Sequence, residues 1–127
     1  MGPNFVLDKG YQATTAITQF RAVTLTANDQ VKQADGAAQF ALGIGQETVS
    51  AADATSGRIT DVRILGISRA INGTAGALAR MTRCTVDTSG RVVAAATTNP
   101  VLGVTLSAAS AQGDQVDFLL TPGVVQP

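Results

Sequence analysis

The chain has 127 residues, the size of one domain, with nine basic and nine acidic side chains. A net charge of zero gives no overall attraction to nucleic acid or to an anionic membrane surface. Histidine is absent and Cys84 is the single cysteine, which excludes an intrachain disulfide, a Ser-His triad and a Cys/His metal site. The charged fraction of 14% is low for a free monomer and indicates that a partner covers part of the surface.

Residues 1–23 precede the repetitive part of the chain. Within them Phe5, Val6 and Leu7 form a short apolar cluster. We expect this segment to be either the first strand of the domain's own sheet or an extended arm that reaches a neighbour. The cluster makes these three residues candidates for an interface with a partner or another subunit.

Two stretches, residues 24–65 and 85–120, show the same order of features. Each has a strand that starts with Thr, a polar turn, and a second strand. Each then has a Leu-Gly-aliphatic segment, Leu42-Gly43-Ile44 or Leu102-Gly103-Val104, before an Ala/Ser-rich connector that ends in Gly. Pseudo-repeats of about 60 residues built from short strands predict an all-β fold, a small barrel or sandwich. We therefore expect a single β domain over residues 24–127.

The last strand of each repeat alternates between apolar and polar residues, which is typical of a half-buried strand. The side chains predicted to point inward are Thr60, Val62 and Ile64 in the first repeat and Val116, Phe118 and Leu120 in the second. Gly66 directly after the first of these strands predicts a bulge or a corner.

The two Ala/Ser-rich connectors, residues 48–56 and 107–112, are the only helix candidates, at one or two turns each. Residues 122–127 contain two prolines and a glycine, which disfavour a regular helix or a central strand. We expect this tail to be exposed or pinned to a neighbour.

The residues needed for catalysis are mostly missing. Most of the carboxylates stand beside turn residues, where Asp bonds to the local backbone. Cys84 shares a strand face with Val86 and is expected to be a buried small side chain. The sequence therefore predicts no catalytic, metal-binding or cofactor-binding residue, and a chain that is not an enzyme.

A locally basic middle section includes Arg80, Arg83 and Arg91. Aromatic residues are not interleaved with these arginines, so a base-stacking surface for nucleic acid is not expected. The arginines are either solvated side chains on strand faces or a docking surface for an acidic protein partner.

The N-terminus has neither a basic start nor an apolar leader core, and no apolar run approaches the roughly 20 residues of a membrane helix. We therefore expect a soluble protein that is made in the cytoplasm.

The second half carries Asp87-Thr88-Ser89-Gly90-Arg91-Val92-Val93, then Gly103-Val104-Thr105-Leu106, an Ala-rich connector ending in Gly113-Asp114, and Val116-Asp117-Phe118-Leu119. This order resembles the Asp-x-x-Gly-Arg-x-Val turn and the segments that follow it in the capsid cement, or head decoration, proteins of tailed bacteriophages. Residues 22–25 and 41–44 resemble the N-terminal pattern of the same family.

The resemblance implies a structural virion protein. Such a protein binds the exterior of the assembled shell of major capsid protein, commonly as a homotrimer, and cements it against internal DNA pressure. Its partners would be the major capsid protein and further copies of itself, with no cofactor and no direct contact with nucleic acid or membrane. It would be made in the cytoplasm of the bacterial host, and Phe5, Val6, Leu7, Arg80, Arg83 and Arg91 are candidates for its capsid or subunit interface.

An alternative is a soluble ligand- or carbohydrate-binding β module, such as a domain of a phage fibre or adhesin. Modules of this kind usually present Trp or Tyr as a binding platform, and this chain has no Trp and one Tyr.

Overall fold

The computed structural model describes residues 6–127, except for the side chains of residues 122 and 123. Nine strands and one short helix make up this part of the chain, so the predicted all-β class is confirmed. The elements are β1 (Leu7–Ala13), β2 (Ala22–Ala27), β3 (Gln30–Gln33), β4 (Gly43–Gly45), α1 (Ala51–Thr55), β5 (Ile59–Ile71), β6 (Arg83–Val86), β7 (Val92–Ala94), β8 (Pro100–Thr105) and β9 (Gln115–Val125).

Five strands close into a first barrel in the order β1-β3-β2-β4-β5, because β1 pairs with both β3 and β5. The β1–β5 seam is antiparallel and runs from Leu7 opposite Leu65 to Gln12 opposite Ile59. The β1–β3 seam is parallel and short, with Ala13 opposite Val31 as its last pair. Closing the ring pairs backbone groups that would otherwise form open sheet edges.

The second half of the chain continues the same sheet in the order β5-β9-β8-β6-β7. Residues Gly66–Ile71 of β5 pair antiparallel with β9. A parallel bridge between Asn72 and Val92 links β7 back to the residue that follows β5. This bridge places β7, the last strand in that order, beside the end of β5, the first strand in that order. These five strands thus curl into a second barrel.

The side chains predicted to point inward are buried. Thr60, Val62, Val116, Phe118 and Leu120 are each at most 4% exposed, and Ile64 packs partly buried against the first core cluster. That cluster fills the first barrel, whereas a larger cluster around Phe118 fills the second barrel and extends into the first. The alternating pattern therefore identified the inner face of both long strands.

The same pairings recur in the two halves. An antiparallel bridge joins Ile17 to Val49 in the first half, and another joins Leu78 to Ala109 in the second. The parallel pair Ala13–Val31 has its counterpart in Asn72–Val92. These pairings involve β1 and Asn72, the residue after β5, which lie outside the predicted repeats 24–65 and 85–120. The superposition of those two stretches stays a prediction.

A close approach between backbones explains the Leu-Gly-aliphatic segment of both repeats. A methyl group added at Gly43 would overlap the carbonyl oxygen of Arg63 on β5. One added at Gly103 would overlap the carbonyl oxygen of Leu119 on β9. Glycine is required at both positions because no side chain fits between the two strands.

The second barrel docks on the first through the turn between β6 and β7. Asp87 organises this turn, because its carboxylate accepts hydrogen bonds from the amides of Ser89 and Arg91, both at 2.9 Å. The carbonyl of Gly90 then accepts the amide of Ala22 on β2 at 2.7 Å. The turn is thus bonded to the first barrel, which ties the two barrels into one body.

Residues 1–23 were predicted to be an arm or a first strand, and for residues 7–13 the structure shows a strand. Of the two helix candidates, only the first contains a helix, α1, whose first turn is capped by the Ser50 hydroxyl bonded to the Asp53 amide at 3.1 Å. The second connector forms no helix.

The C-terminal tail forms no central strand, as predicted. β9 continues to Val125, but its pairing with β5 ends at Leu120, and beyond it Val124 and Val125 pair with β8 at the edge of the sheet. The proline and glycine are accommodated because the ladder shifts register between Val101 and Gly103, opposite the segment that contains them. Val124 and Val125 nevertheless stay 43% and 56% exposed.

We predict that Gly103→Ala destabilises the protein by about 1–3 kcal/mol, the usual cost of forcing an extra methyl group into a packed site. Gly76→Ala is the matched control, because no atom lies within 4 Å of the added methyl position. Urea unfolding followed by circular dichroism measures both variants. Equal midpoints for the two would contradict the close β8–β9 approach.

Candidate functional site

Five of the six predicted interface residues lie in the part of the chain that the structure describes. Phe5 falls outside the described residues, whereas Val6 and Leu7 are 45% and 48% exposed at the start of β1. Arg80 and Arg83 are exposed near the start of β6. The structure therefore places Val6, Leu7 and the two arginines at the surface. Val104 stands opposite both Arg83 and Leu119, so Arg83 lies two strands from Leu119 in the same sheet.

Leu7 belongs to an apolar patch on the outer face of the sheet where the two barrels meet. Leu7 lies opposite Leu65, and Ile67 lies opposite Leu119. Directly opposed residues of a regular ladder share a face of the sheet, so the side chains of Ile67 and Leu119 are neighbours. Leu7 stands beside Leu65 across a register shift between Leu7 and Asp8. We call Leu7, Leu65, Ile67 and Leu119 the waist patch. They are 37–49% exposed, which is unusual for large apolar side chains that stand together.

An ion pair borders the waist patch. The Arg63 guanidinium donates to both carboxylate oxygens of Asp8 at 2.8 and 3.0 Å, and also to the carbonyl of Ile67 at 3.0 Å. The hydrogen bonds from Arg63 hold the pKa of Asp8 below its ordinary value. The stability that this pair contributes is present above the ordinary carboxyl pKa and is lost as the pH falls through the lowered value. At neutral pH both charges are balanced, so the border adds no net charge to the patch.

Arg91 has a role inside the molecule. Its guanidinium binds the Asp87 carboxylate at 3.0 Å, and both side chains are at most a quarter exposed. Arg80 and Arg83 have no ion-pair partner among residues 6–127. Of the three predicted arginines, the two exposed ones are free to bind an acidic group of a partner.

An open groove of about 550 Å³ lies between β1 and the turn that joins β2 to β3. The Lys9 ammonium stands 4.8 Å from the centre of the Tyr11 ring and binds the Asp29 carboxylate at 2.9 Å. Tyr11 is only 7% exposed, so its ring is packed into the barrel and covered by Lys9. A carbohydrate platform of the kind considered from the sequence would need an exposed ring, which Tyr11 does not offer.

Within the described part of the chain, no group of three or more potential metal-binding side chains occurs. Burial raises the pKa of the Cys84 thiol to about 12, so it is un-ionised at neutral pH. Over the same residues, no helix has the length and apolar character needed to cross a membrane.

The waist patch was not predicted, although its signal was present. Leu65 and Ile67 follow the outward positions Asp61 and Arg63 at intervals of two residues, and the sequence therefore placed them outward. The sequence could not show that Leu7 and Leu119 would lie next to them, because that depends on which strands pair with β5.

No protein-family model matches the chain, and no curated protein matches its sequence. Among solved structures, the fold is similar to that of the head fibre gp8.5 N base in bacteriophage phi29. The TM-score is 0.69, the match covers 92% of this chain and 95% of the other, and 15% of the aligned residues are identical. The likeness therefore extends over the whole two-barrel body and shows that both chains share this fold.

Proposed function

We propose that the chain is a structural virion protein of a tailed bacteriophage that binds the exterior of the capsid and reinforces the shell of major capsid protein. The observation that carries the proposal is the likeness of the whole fold to a phage head fibre base. The resemblance of residues 85–120 to capsid cement proteins supports it independently, because it rests on sequence motifs and not on the fold. In this role the chain catalyses nothing and needs no cofactor.

The waist patch is the proposed docking surface for the shell. Its four apolar side chains lose contact with water on docking, which favours association by roughly 25 cal/mol for each Å² buried. The balanced Asp8–Arg63 pair at its border adds no net repulsion towards a shell protein of either charge. A patch of this size gives only weak attachment by itself.

Attachment to the shell becomes strong when one oligomer of this chain carries several copies of the waist patch. We propose a homotrimer, in which three waist patches engage the shell at once, so that the second and third contacts form at high effective concentration. Such multivalent binding requires the copies to keep a fixed geometry. The bonds between the Gly90 turn and the first barrel provide a stiff body for this purpose.

The exposed Arg80 and Arg83 are proposed to pair with acidic groups of the shell or of a neighbouring copy. The proposed location is the capsid exterior of the virion, after synthesis in the cytoplasm of the bacterial host. A chain with no net charge is suited to a protein surface rather than to nucleic acid or an anionic membrane.

We predict that the purified protein co-sediments with expanded capsids of its own phage and raises their melting temperature by several degrees. Binding to the assembled shell and not to its dissociated subunits stabilises the shell by mass action. Differential scanning calorimetry of capsids with and without the protein measures the shift. No co-sedimentation and an unchanged melting temperature would contradict the proposal.

We predict that Ile67→Asp weakens capsid binding about 10-fold or more, because docking would bury a carboxylate in an apolar contact. Ile59→Asp is the matched control on the same strand, since Ile59 is 62% exposed and lies outside the waist patch. Titration of capsids in the sedimentation assay measures both affinities, and circular dichroism verifies the fold. Equal loss in both variants would show that the patch is not the docking surface.

A further inference from the structure

The contact that joins the two barrels has a specific geometry. The carbonyls of Val86 and Gly90 accept the amides of Ala38 and Ala22 at 2.9 and 2.7 Å. Val86 is 1% exposed and packs into the core cluster that spans both barrels. We call residues 86–90 the docked tip, because this turn of the second barrel is seated on the first.

The first barrel has a corresponding turn that is not docked. It joins β2 to β3, as the docked tip joins β6 to β7, and we call residues 25–29 the free tip. Asp29 and Gly90 occupy the same place in the two turns, and both have a positive φ, 59° and 74°. Leu25 stands where the docked tip has Val86, but it is 51% exposed.

The second barrel likewise has a counterpart of the surface that receives the docked tip. Phe20 and Met81 precede β2 and β6, and both have a positive φ, 65° and 60°. Phe20 packs against the core cluster that spans the barrels, whereas Met81 is 73% exposed. Arg83 is the first residue of β6, as Ala22 is the first residue of β2. The Ala22 carbonyl accepts the amide of the residue that follows β3, and the Arg83 carbonyl accepts the amide of the residue that follows β7, both at 2.9 Å. We call residues 81–83 the open socket.

The free tip and the open socket are complementary in charge. Inside the chain, Gly90 and Ala22 are bonded directly. Their counterparts are Asp29, whose side chain is 73% exposed, and Arg83, which is also exposed. Asp29 binds Lys9 in an exposed pair, which contributes little and leaves the carboxylate accessible. Opposite charges therefore stand at positions that would face each other.

We infer that the free tip of one copy docks through its side chains on the open socket of a second copy, at the place that corresponds to the seat of the docked tip within one chain. Leu25 would cover Met81, and Asp29 would pair with Arg83.

Neither backbone bond of the docked tip is repeated in this contact. The Asp29 carbonyl already accepts the Gln12 amide at 2.9 Å, and the Thr98 amide, the counterpart of the Ala38 amide, already donates to the Gln126 carbonyl at 2.8 Å. The side chains therefore provide the contact.

The tip and the socket are different surfaces, so the contact is head to tail and closes into a ring when the rotation between copies allows it. The inference rests on the homotrimer of the proposed function and deepens it by assigning the interface between copies. It concerns self-association alone and does not require capsid binding.

The test uses two proteins with Cys84→Ala as background. One carries Leu25→Cys, and the other carries Met81→Cys and an added tag that changes its size. Treatment of the mixture with a short bifunctional maleimide should give mainly the mixed-size dimer, with little of either same-size dimer. Ile59→Cys in place of Leu25→Cys is the control and should give no such excess. A mixed dimer in no greater yield than the control would overturn the inference.

A second measurement tests the charged pair. Asp29→Asn keeps a residue that tolerates the positive φ, and Arg83→Gln removes the opposite charge. Each should weaken self-association about 2- to 5-fold in analytical ultracentrifugation, and the double variant should be no weaker than either single one, because both remove the same interaction. Additive losses, or a wild-type chain that stays monomeric at high concentration, would overturn the inference. Capsid co-sedimentation of the same samples separates the two ideas, since a monomer that still binds capsids refutes the self-association and leaves the binding to the shell in place.

Discussion

Strand β5 is the constraint on which the rest of the structure depends. Its 13 residues pair with β1 and β4 along the first part and with β9 along the second, so that one continuous strand serves both barrels. Gly66, with a φ of 103°, lies between the two parts. The inward side chains of β5 enter the two core clusters, one of which spans both barrels. The outward side chains of β5 at the junction have no further layer of the described chain over them. The waist patch exists because the same strand has to pass from one barrel to the other.

The β6–β7 turn makes this junction stiff. A shared strand alone would allow the barrels to pivot, but the Gly90 carbonyl and the Arg21 guanidinium, which donates to the Ser89 carbonyl at 2.8 Å, connect them at a second place. Burial and the nearby Arg91 lower the pKa of Arg21, and the group stays charged at neutral pH. A stiff body with surfaces in a fixed relation is what multivalent binding to a symmetric shell requires. The proposed function therefore depends on a contact far from the patch that would touch the shell.

Local patterns in the sequence predicted the local features of the fold. Alternation identified Val62 and Phe118 as core residues, and the turn around Gly90 was predicted from its Asp and Gly. The closure of the first barrel was not predicted, because the parallel β1–β3 seam joins strands whose pairing has no local signature. For the same reason the sequence could propose Leu7 as an interface residue but could not show its neighbours. Arg91 was grouped with Arg80 and Arg83 by sequence proximity alone, whereas in three dimensions Asp87 binds it within the turn.

We propose that this two-barrel body sits on the outside of a phage shell with its waist patch against the capsid protein. A cryo-electron microscopy reconstruction of expanded capsids incubated with the purified chain tests it most directly. We expect density for both barrels on the capsid exterior, with Leu65 and Ile67 at the contact. Capsids with no added exterior density, or density in which these residues face solvent, would contradict it.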